Sequence, residues 1–172
     1  MDEIYKKLQG KYWWNYLHDD LKELIKESSL MAERVENWEE KFNDYSFIVF
    51  PAAKAYEGFL KTLFLDLGFI SENDFYGQRF RVGKALNPAL DKRYREKESV
   101  YDQMTNFCKG KELADYLWNT WKQCRNLLFH WFPGEKNAIS YEEAQEKILL
   151  IFSAMDMAFE SCVLKGKKEK QK

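Results

Sequence analysis

Apolar residues recur every three to four positions along most of the chain, and acids and lysines stand between them. This spacing is typical of amphipathic helices, and no stretch alternates strictly between apolar and polar residues as a half-buried strand does. The pattern begins with a run that ends near Ser28-Ser29 and continues to a stop at Asn43-Asp44. Its members are Tyr5, Leu8, Tyr12, Tyr16, Leu17, Leu21, Leu24, Met31, Val35, Trp38 and Phe42.

The most apolar segment is "SFIVFPAAKAYEGFLKTLFLDLG", residues 46–68. Its first residues could form a strand, but Pro51 has no N–H for a central strand and suits a first helical turn. Gly68 is a natural residue to follow a helix, because glycine adopts the left-handed conformation that ends one. We therefore predict a long buried helix that starts between residues 46 and 51 and ends before Gly68.

The second half of the chain predicts further helices around a broken polar stretch at 71–97. That stretch has a short helix ending near Asn87-Pro88, and another helix is predicted at about 98–107. A clear amphipathic helix spans 111–132 and is ended by Pro133-Gly134. Ser140 with Glu143 forms a capping-box pattern that opens a last helix at about 140–164.

These elements predict an all-α bundle of five to seven helices. The 172 residues, 45% of them hydrophobic, are enough for one domain with a real core, which we place at residues 1–164. Residues 165–172 form a basic tail with five Lys and one Glu. We expect that tail to be a frayed, solvated end.

Charge and composition narrow the classes of function. A net charge of −1 argues against a protein that coats nucleic acid by charge alone, although a local basic cleft remains compatible with it. The aromatic content of 17% predicts a partner surface in addition to the core, because Tyr and Trp are favoured at interfaces.

The location and the ligands follow from what the sequence lacks. The start "MDEIYKKLQG" has no apolar signal region, and no run of 18 apolar residues predicts a membrane span. Three cysteines without a CxxC pattern favour a reduced, cytoplasmic compartment. Cys124 and His130 are six residues apart, which suits no common pair of metal ligands, so we expect neither a metal nor a cofactor.

The chemistry of the chain centres on "RNLLFHW", residues 125–131, which holds Arg125, Asn126 and His130. Together with Glu57 in "AAKAYEGFL", these residues resemble the R-x4-6-H signature of the HEPN superfamily. Its members are all-α domains, many of them metal-independent ribonucleases. From "FIVFPAAKAYEGFL" to the last helix, the chain is most similar to the HEPN toxin domain of the RNase LS (RnlA) family.

The resemblance implies a function. Glu57, Arg125 and His130 would form the catalytic set of a metal-independent endoribonuclease toxin in a toxin–antitoxin or anti-phage defence system. It also implies an RNA substrate, a homodimer and a cognate antitoxin protein. We add Asn126 and Lys54 as candidate substrate-binding residues.

The same residue types fit the chemistry of RNA cleavage without a metal. That reaction needs a base for the 2′-OH proton, a cation for the charge that develops on the phosphate, and an acid for the leaving 5′-oxygen. The planar guanidinium of Arg125 suits the phosphate. His130 suits proton transfer near neutral pH. Glu57 would orient one of the two or act as the base.

One geometric difficulty remains at this point. Residues five apart on an ideal helix point about 140° away from each other, so Arg125 and His130 cannot both face one phosphate from a straight helix. Either the helix distorts before Pro133, or the site is shared across a two-fold dimer in which two copies of the helix face each other.

Other readings of the same residues stay open. His130 could cover apolar neighbours at the edge of the core, and Arg125 could bond an acid on a neighbouring helix. Glu57 could pair with Lys54 or Lys61 at i−3 and i+4. The alternative function is a non-catalytic HEPN-like helical module that binds nucleotide, RNA or a partner protein. A plain helical adaptor, in which the motif is accidental, is the third reading.

Overall fold

The computed structural model describes residues 7–134 and 136–161. Eight α-helices follow one another from Asp19 to Glu160, with no strand among the described residues, which confirms the all-α class. In chain order they are α1 Asp19–Arg34, α2 Ser46–Asp66, α3 Glu72–Tyr76, α4 Val82–Ala85, α5 Lys92–Glu98, α6 Val100–Cys108, α7 Glu112–Trp121 and α8 Tyr141–Glu160. Short 3-10 turns cover Trp14–Tyr16 and Val35–Asn37, and a π-helix covers Lys122–Asn126. The predicted tail at 165–172 and Cys162 lie outside the described residues.

The number of helices in this range exceeds the predicted five to seven because the polar stretch after α2 contains three short ones. Ser71 opens α3 with a capping box, in which its hydroxyl accepts from the Asp74 N–H and the Asp74 carboxylate accepts from the Ser71 N–H. Helix α4 has only four residues. The described helices do not include one with the length and the apolar character that a bilayer crossing requires.

Helix α2 lies at the centre of the bundle and packs against α1 and α8. It starts at Ser46 and ends at Asp66, and Gly68 follows with a φ of 72°, as predicted. Pro51 is buried in the interior of the helix rather than in its first turn, which corrects one detail of the prediction. Asp44 holds the start of the helix, because its Oδ1 accepts from the Ser46 N–H at 2.9 Å.

Gly58 marks the closest approach of α1 to α2. A Cβ at this position would lie 2.6 Å from a methyl carbon of Leu21, closer than real Cβ contacts come. The glycine lowers the stability of the helix itself by about 1 kcal/mol relative to alanine, but it allows the two helices to pack closely. Since Gly58 directly follows Glu57, this packing also fixes the part of α2 that carries the glutamate.

The segment before α1 belongs to the core, because Trp13 and Trp14 are both buried. Trp13 is fully buried, and its Nε1 donates to Asp156 Oδ1 at 3.0 Å. Lys11 pairs with the other oxygen of the same carboxylate at 2.7 Å. His18, by contrast, is exposed beside the start of α1.

The predicted helix at 111–132 is correct at its beginning and wrong at its end. Its α-helical part stops at Trp121, and in the following π-helix the Leu127 N–H donates to the Lys122 carbonyl, five residues back, at 2.9 Å. Leu128 is still buried, but Trp131 is 75% exposed and lies outside any helix. The last carbonyls of this segment bond to a side chain from the next loop and not to a continuing helix.

The cysteines differ from the reduced set that the sequence predicts. Cys108 is disulfide-bonded, whereas Cys124 is a buried free thiol. The spacing of cysteines along the chain carries no information on which of them the fold brings together. Burial raises the pKa of the Cys124 thiol to about 12, and the Sγ lies 3.5 Å from the Lys147 carbonyl oxygen.

Candidate functional site

Arg125 and Glu57 form an ion pair that joins the π-helix to α2. Two guanidinium nitrogens, Nε and Nη2, donate to the same carboxylate oxygen, Glu57 Oε2, at 3.3 Å and 3.0 Å. Both side chains are 33% exposed, so the pair lies at the surface of the bundle rather than in its core. The structure thus brings together two predicted site residues that are 68 positions apart in the chain.

Aromatic rings support the guanidinium of Arg125. Its central carbon lies 5.8 Å from the ring centroids of both Trp121 and Phe129, which precede and follow it in the same segment. Among the described residues, no hydrogen-bond acceptor meets the remaining nitrogen, Nη1. Arg125 is therefore held from two sides while one of its edges stays open to an anion such as phosphate.

The π-helix changes the geometry that the sequence predicted for the motif. A π-turn closes with an i→i+5 hydrogen bond and often occurs at functional sites. The chain then leaves helical geometry, since residues 127–129 form turns and residue 130 a bend. The ideal-helix angle of about 140° between Arg125 and His130 does not apply to such a segment.

His130 is exposed and faces a surface groove of about 270 Å³. Asp44, Ser46 and Trp131 line the same groove, but neither Arg125 nor Glu57 does. Phe129 borders both features, because its ring contacts the Arg125 guanidinium and also lines the groove. Within one chain, His130 is therefore a neighbour of the Arg125–Glu57 pair and not part of it.

Asn137 fixes the backbone on which His130 stands. Its amide nitrogen donates to three carbonyl oxygens, those of Leu127 at 3.3 Å, Leu128 at 3.1 Å and His130 at 2.6 Å. These carbonyls come after the last helical turn and have no helical partner. Sequence reasoning missed Asn137, although an asparagine shortly after a Pro-Gly helix end is a frequent source of such backbone bonds.

Asp44 was missed as well, and it connects the groove to α2. Its Oδ1 accepts from the Ile139 N–H at 3.2 Å as well as from the Ser46 N–H at 2.9 Å. Its Oδ2 accepts from the Ser46 hydroxyl at 2.7 Å. The loop that carries Asn137 is thereby tied to the start of the helix that carries Glu57. The sequence marked Asn43-Asp44 only as a stop, because the partner lies 95 residues later.

The two candidate substrate-binding residues, Lys54 and Asn126, are both exposed. Lys54 precedes Glu57 by about one helical turn, yet the ion pair of Glu57 in the structure is with Arg125. Lys61, the other lysine considered for Glu57, lies with its ammonium 5.4 Å from the ring centroid of Phe75. No described residue makes an ion pair or a hydrogen bond with the side chain of Lys54 or of Asn126, so both are available to a ligand.

The arrangement can bind an anion and move a proton at two adjacent places. Arg125 offers a fixed cation with one open edge, and His130 offers an exposed imidazole about five residues further along. No cluster of three or more His, Cys, Asp or Glu side chains that could hold a metal occurs in the described part of the chain. No family model, curated protein or solved structure matches this chain.

Proposed function

We propose that the chain is a metal-independent endoribonuclease, the toxin of a toxin–antitoxin or anti-phage defence system, and that Arg125, His130 and Glu57 carry the reaction. The observation that supports the proposal most is the Arg125–Glu57 ion pair, which links a motif arginine to the one glutamate singled out by resemblance to the HEPN superfamily. A second support is that Arg125 lies on a π-helix, a feature frequent at functional sites, and that an exposed histidine follows it.

The proposed roles follow from the contacts of each residue. Arg125 binds the scissile phosphate through its open edge and stabilises the charge that develops on its oxygens. Glu57 is a positioning residue, since it fixes the guanidinium through Nε and Nη2 and leaves Nη1 to the substrate. His130 transfers a proton, as the base for the 2′-OH or as the acid for the 5′-oxygen. The products are a 2′,3′-cyclic phosphate or its hydrolysed form and a free 5′-OH.

A homodimer would place the groups of two chains at one phosphate. His130 of one chain and Arg125 of the same chain do not line a common groove. The segment that carries them also exposes apolar side chains, because Leu127 is 42%, Trp131 75% and Phe132 40% exposed. Burying this segment against its copy would cover those side chains and bring each histidine towards the partner's arginine. Lys54 and Asn126 would then contact flanking parts of the RNA.

Growth and cleavage assays test the proposal with matched controls. Wild-type chain, expressed without an antitoxin, should arrest growth and degrade RNA, whereas H130A and R125A should do neither. H18A is the control for the histidine, because His18 is the other histidine and is exposed. R95A is the control for the arginine, because Arg95 forms an ion pair with Asp102 at 2.8 Å and has a similar exposure, 36%.

Two results would reject the proposal. Growth arrest by H130A as strong as by wild type would show that His130 has no catalytic role. Loss of cleavage in R95A equal to that in R125A would show that any broken ion pair of this kind disables the protein. Light scattering at micromolar concentration tests the dimer, since a monomer with full nuclease activity would exclude the shared site.

A second candidate function is a non-catalytic helical module that binds nucleotide, RNA or a partner protein. The separation of His130 from the Arg125–Glu57 pair within one chain favours it, because an anion at Arg125 needs no histidine. In that case R125A would lose binding of RNA or nucleotide, H130A would keep it, and neither wild type nor variant would cleave RNA.

A further inference from the structure

A second concentration of charge lies outside the site described above. Residues 79–98 contain seven Lys and Arg but three Asp and Glu, a net charge of +4 in a chain whose total is −1. Four of the seven, Arg79, Arg81, Lys84 and Lys97, line one cavity of about 230 Å³ between α3 and α5. We call this set the basic pocket.

The acids around the basic pocket offset only part of its charge. Lys84 pairs with Glu98 at 2.5 Å. Asp74, the other acid of the pocket, is engaged in the capping box of α3, and its hydrogen bonds with Ser71 lower its pKa. Two acids against four bases leave an excess of +2 at the cavity.

Three of the four cations have no ion-pair partner among the described residues, since only Lys84 has one. Arg79 and Lys97 are exposed and make no ion pair with a described residue. Arg81 has no carboxylate partner among the described residues either, but its Nη1 donates to the carbonyls of Gln78 and Phe80. The guanidinium of Arg81 is thus fixed by its own loop while its charge stays uncompensated.

The basic pocket adjoins the Arg125 site through one close contact. Gly83, next to Lys84, approaches Trp121 so closely that a Cβ on it would lie 2.6 Å from the indole Nε1. Trp121 also contacts Arg125, whose central guanidinium carbon lies 5.8 Å from the ring centroid. A single tryptophan therefore separates the helix that borders the basic pocket from the guanidinium proposed to bind the scissile phosphate.

We propose that the basic pocket binds a backbone phosphate of single-stranded RNA, a short distance along the strand from the phosphate held at Arg125. This inference rests on the proposed function, which supplies the reason to favour RNA over an acidic peptide. Proteins that hold single strands use a basic groove that follows the backbone, with aromatic rings beside it. Tyr94 supplies such a ring, because it is 42% exposed and carries the Lys84 ammonium 4.4 Å from its centroid.

The salt dependence of binding measures the number of phosphates that the protein neutralises. The ligand is a fluorescent 2′-O-methyl oligoribonucleotide, which cannot be cleaved through its 2′-oxygen, so that binding is read by anisotropy without any reaction. Each phosphate contact of a single strand contributes about 0.7 to the slope of log affinity against log salt. The double variant R79Q/K97Q should therefore bind more weakly than wild type, with a slope smaller in magnitude by about 0.7, the contribution of one phosphate.

The control removes two positive charges at a distance from the basic pocket. Lys26 of α1 and Lys41 of the following loop lie outside the segment 79–98, and K26Q/K41Q should keep the wild-type slope. Melting temperatures of both double variants verify that they are folded.

The outcomes separate this inference from the proposed function. Equal slopes and affinities for R79Q/K97Q and wild type would overturn the inference, and so would a wild-type protein that binds no oligonucleotide. Equal losses in R79Q/K97Q and K26Q/K41Q would also overturn it, because they would reflect total charge only. A protein that shows the predicted slope change but cleaves no RNA would contradict the nuclease and leave the phosphate site established.

Discussion

The Arg125 guanidinium donates twice to one oxygen of the Glu57 carboxylate, although α2 and the π-helix are separated by five intervening helices. The Arg95–Asp102 pair provides a natural comparison, because it also joins an arginine to a carboxylate at similar exposure, 36% on each side. The two pairs differ in what surrounds them, since only the first lies beside the exposed histidine of the motif.

Replacing each carboxylate by its amide separates positioning from stability. E57Q should lower the rate of RNA cleavage on the order of 100-fold, because a guanidinium that is no longer held misplaces the phosphate. D102N should leave the rate near that of wild type. Both should change the free energy of unfolding by about 1 kcal/mol or less, as expected for partly exposed pairs. The cleavage rates and melting temperatures of both variants are measured. An E57Q cleavage rate equal to that of wild type would show that Glu57 does not position Arg125.

Removal of divalent metal should not affect the proposed reaction, because Arg125 supplies the cation that a metal would otherwise provide. Cleavage of a labelled RNA should proceed at the same rate with and without excess EDTA. The control is a magnesium-dependent nuclease under the same conditions, which EDTA must stop. Activity lost in EDTA and restored by magnesium would contradict the mechanism.

Asn137 should matter for the segment that carries His130. N137A removes the donor for three carbonyls and should lower the free energy of unfolding by about 1–2 kcal/mol. It should also reduce cleavage, since the backbone at His130 is then free to move. N119A is the control, because Asn119 is an exposed residue of α7. Limited proteolysis between residues 127 and 137 should accelerate in N137A alone, and equal behaviour of the two variants would refute the role.

A substitution at Gly83 tests whether the ring of Trp121 helps to hold the Arg125 guanidinium in place. G83A would place a Cβ 2.6 Å from the indole Nε1, and the rigid ring must shift in response. Overpacking of this kind costs about 1–3 kcal/mol, and the shift should reduce cleavage by removing one ring from beneath the guanidinium. G10A is the matched control, because a Cβ there meets only an ordinary contact at 3.5 Å. An unchanged melting temperature and cleavage rate in G83A would show that Trp121 can shift without cost and does not support Arg125.

The buried thiol of Cys124 should be inert in the folded protein. With a pKa raised to about 12, it is protonated at pH 8, and its fully buried position excludes reagents. An aromatic disulfide reagent should therefore react with wild type and C124S to the same extent under native conditions. In denaturant, wild type should release one more equivalent of thiol than C124S. An additional fast-reacting thiol in native wild type would contradict the burial.

The parts of the fold that sequence predicts are those that depend on local rules. The span of α2 followed from a hydrophobic run and a glycine after it, and the start of α8 from the capping box of Ser140 and Glu143. Both are decided within a few residues, so that periodicity and capping chemistry suffice to find them.

The parts that it could not predict depend on distant contacts. The amphipathic stripe continued past Trp121, yet the helix opens into a π-turn, and Asn137, outside the helix, donates to the carbonyls that follow it. The same holds for the site, in which the spacing of Arg125 and His130 was visible but their different surroundings were not. Only the folded chain places Glu57 against Arg125 and leaves His130 in a neighbouring groove.

The hydrogen bonds of Asn137 and Asp44 together anchor both ends of the loop that follows the π-helix. One end is held where the Asn137 amide meets the Leu127 carbonyl, and the other where Asp44 receives the Ile139 N–H. Pro133 and Gly134 lie between these two anchored ends and are exposed. Lengthening a loop costs little free energy of closure, because each doubling of its length costs only about 0.6 kcal/mol. The loop at Pro133 and Gly134 should therefore tolerate an insertion. A peptide inserted after Gly134 would therefore be exposed close to His130. The hydrogen bonds of Asn137 and Asp44 would still hold the backbone that carries the imidazole in place.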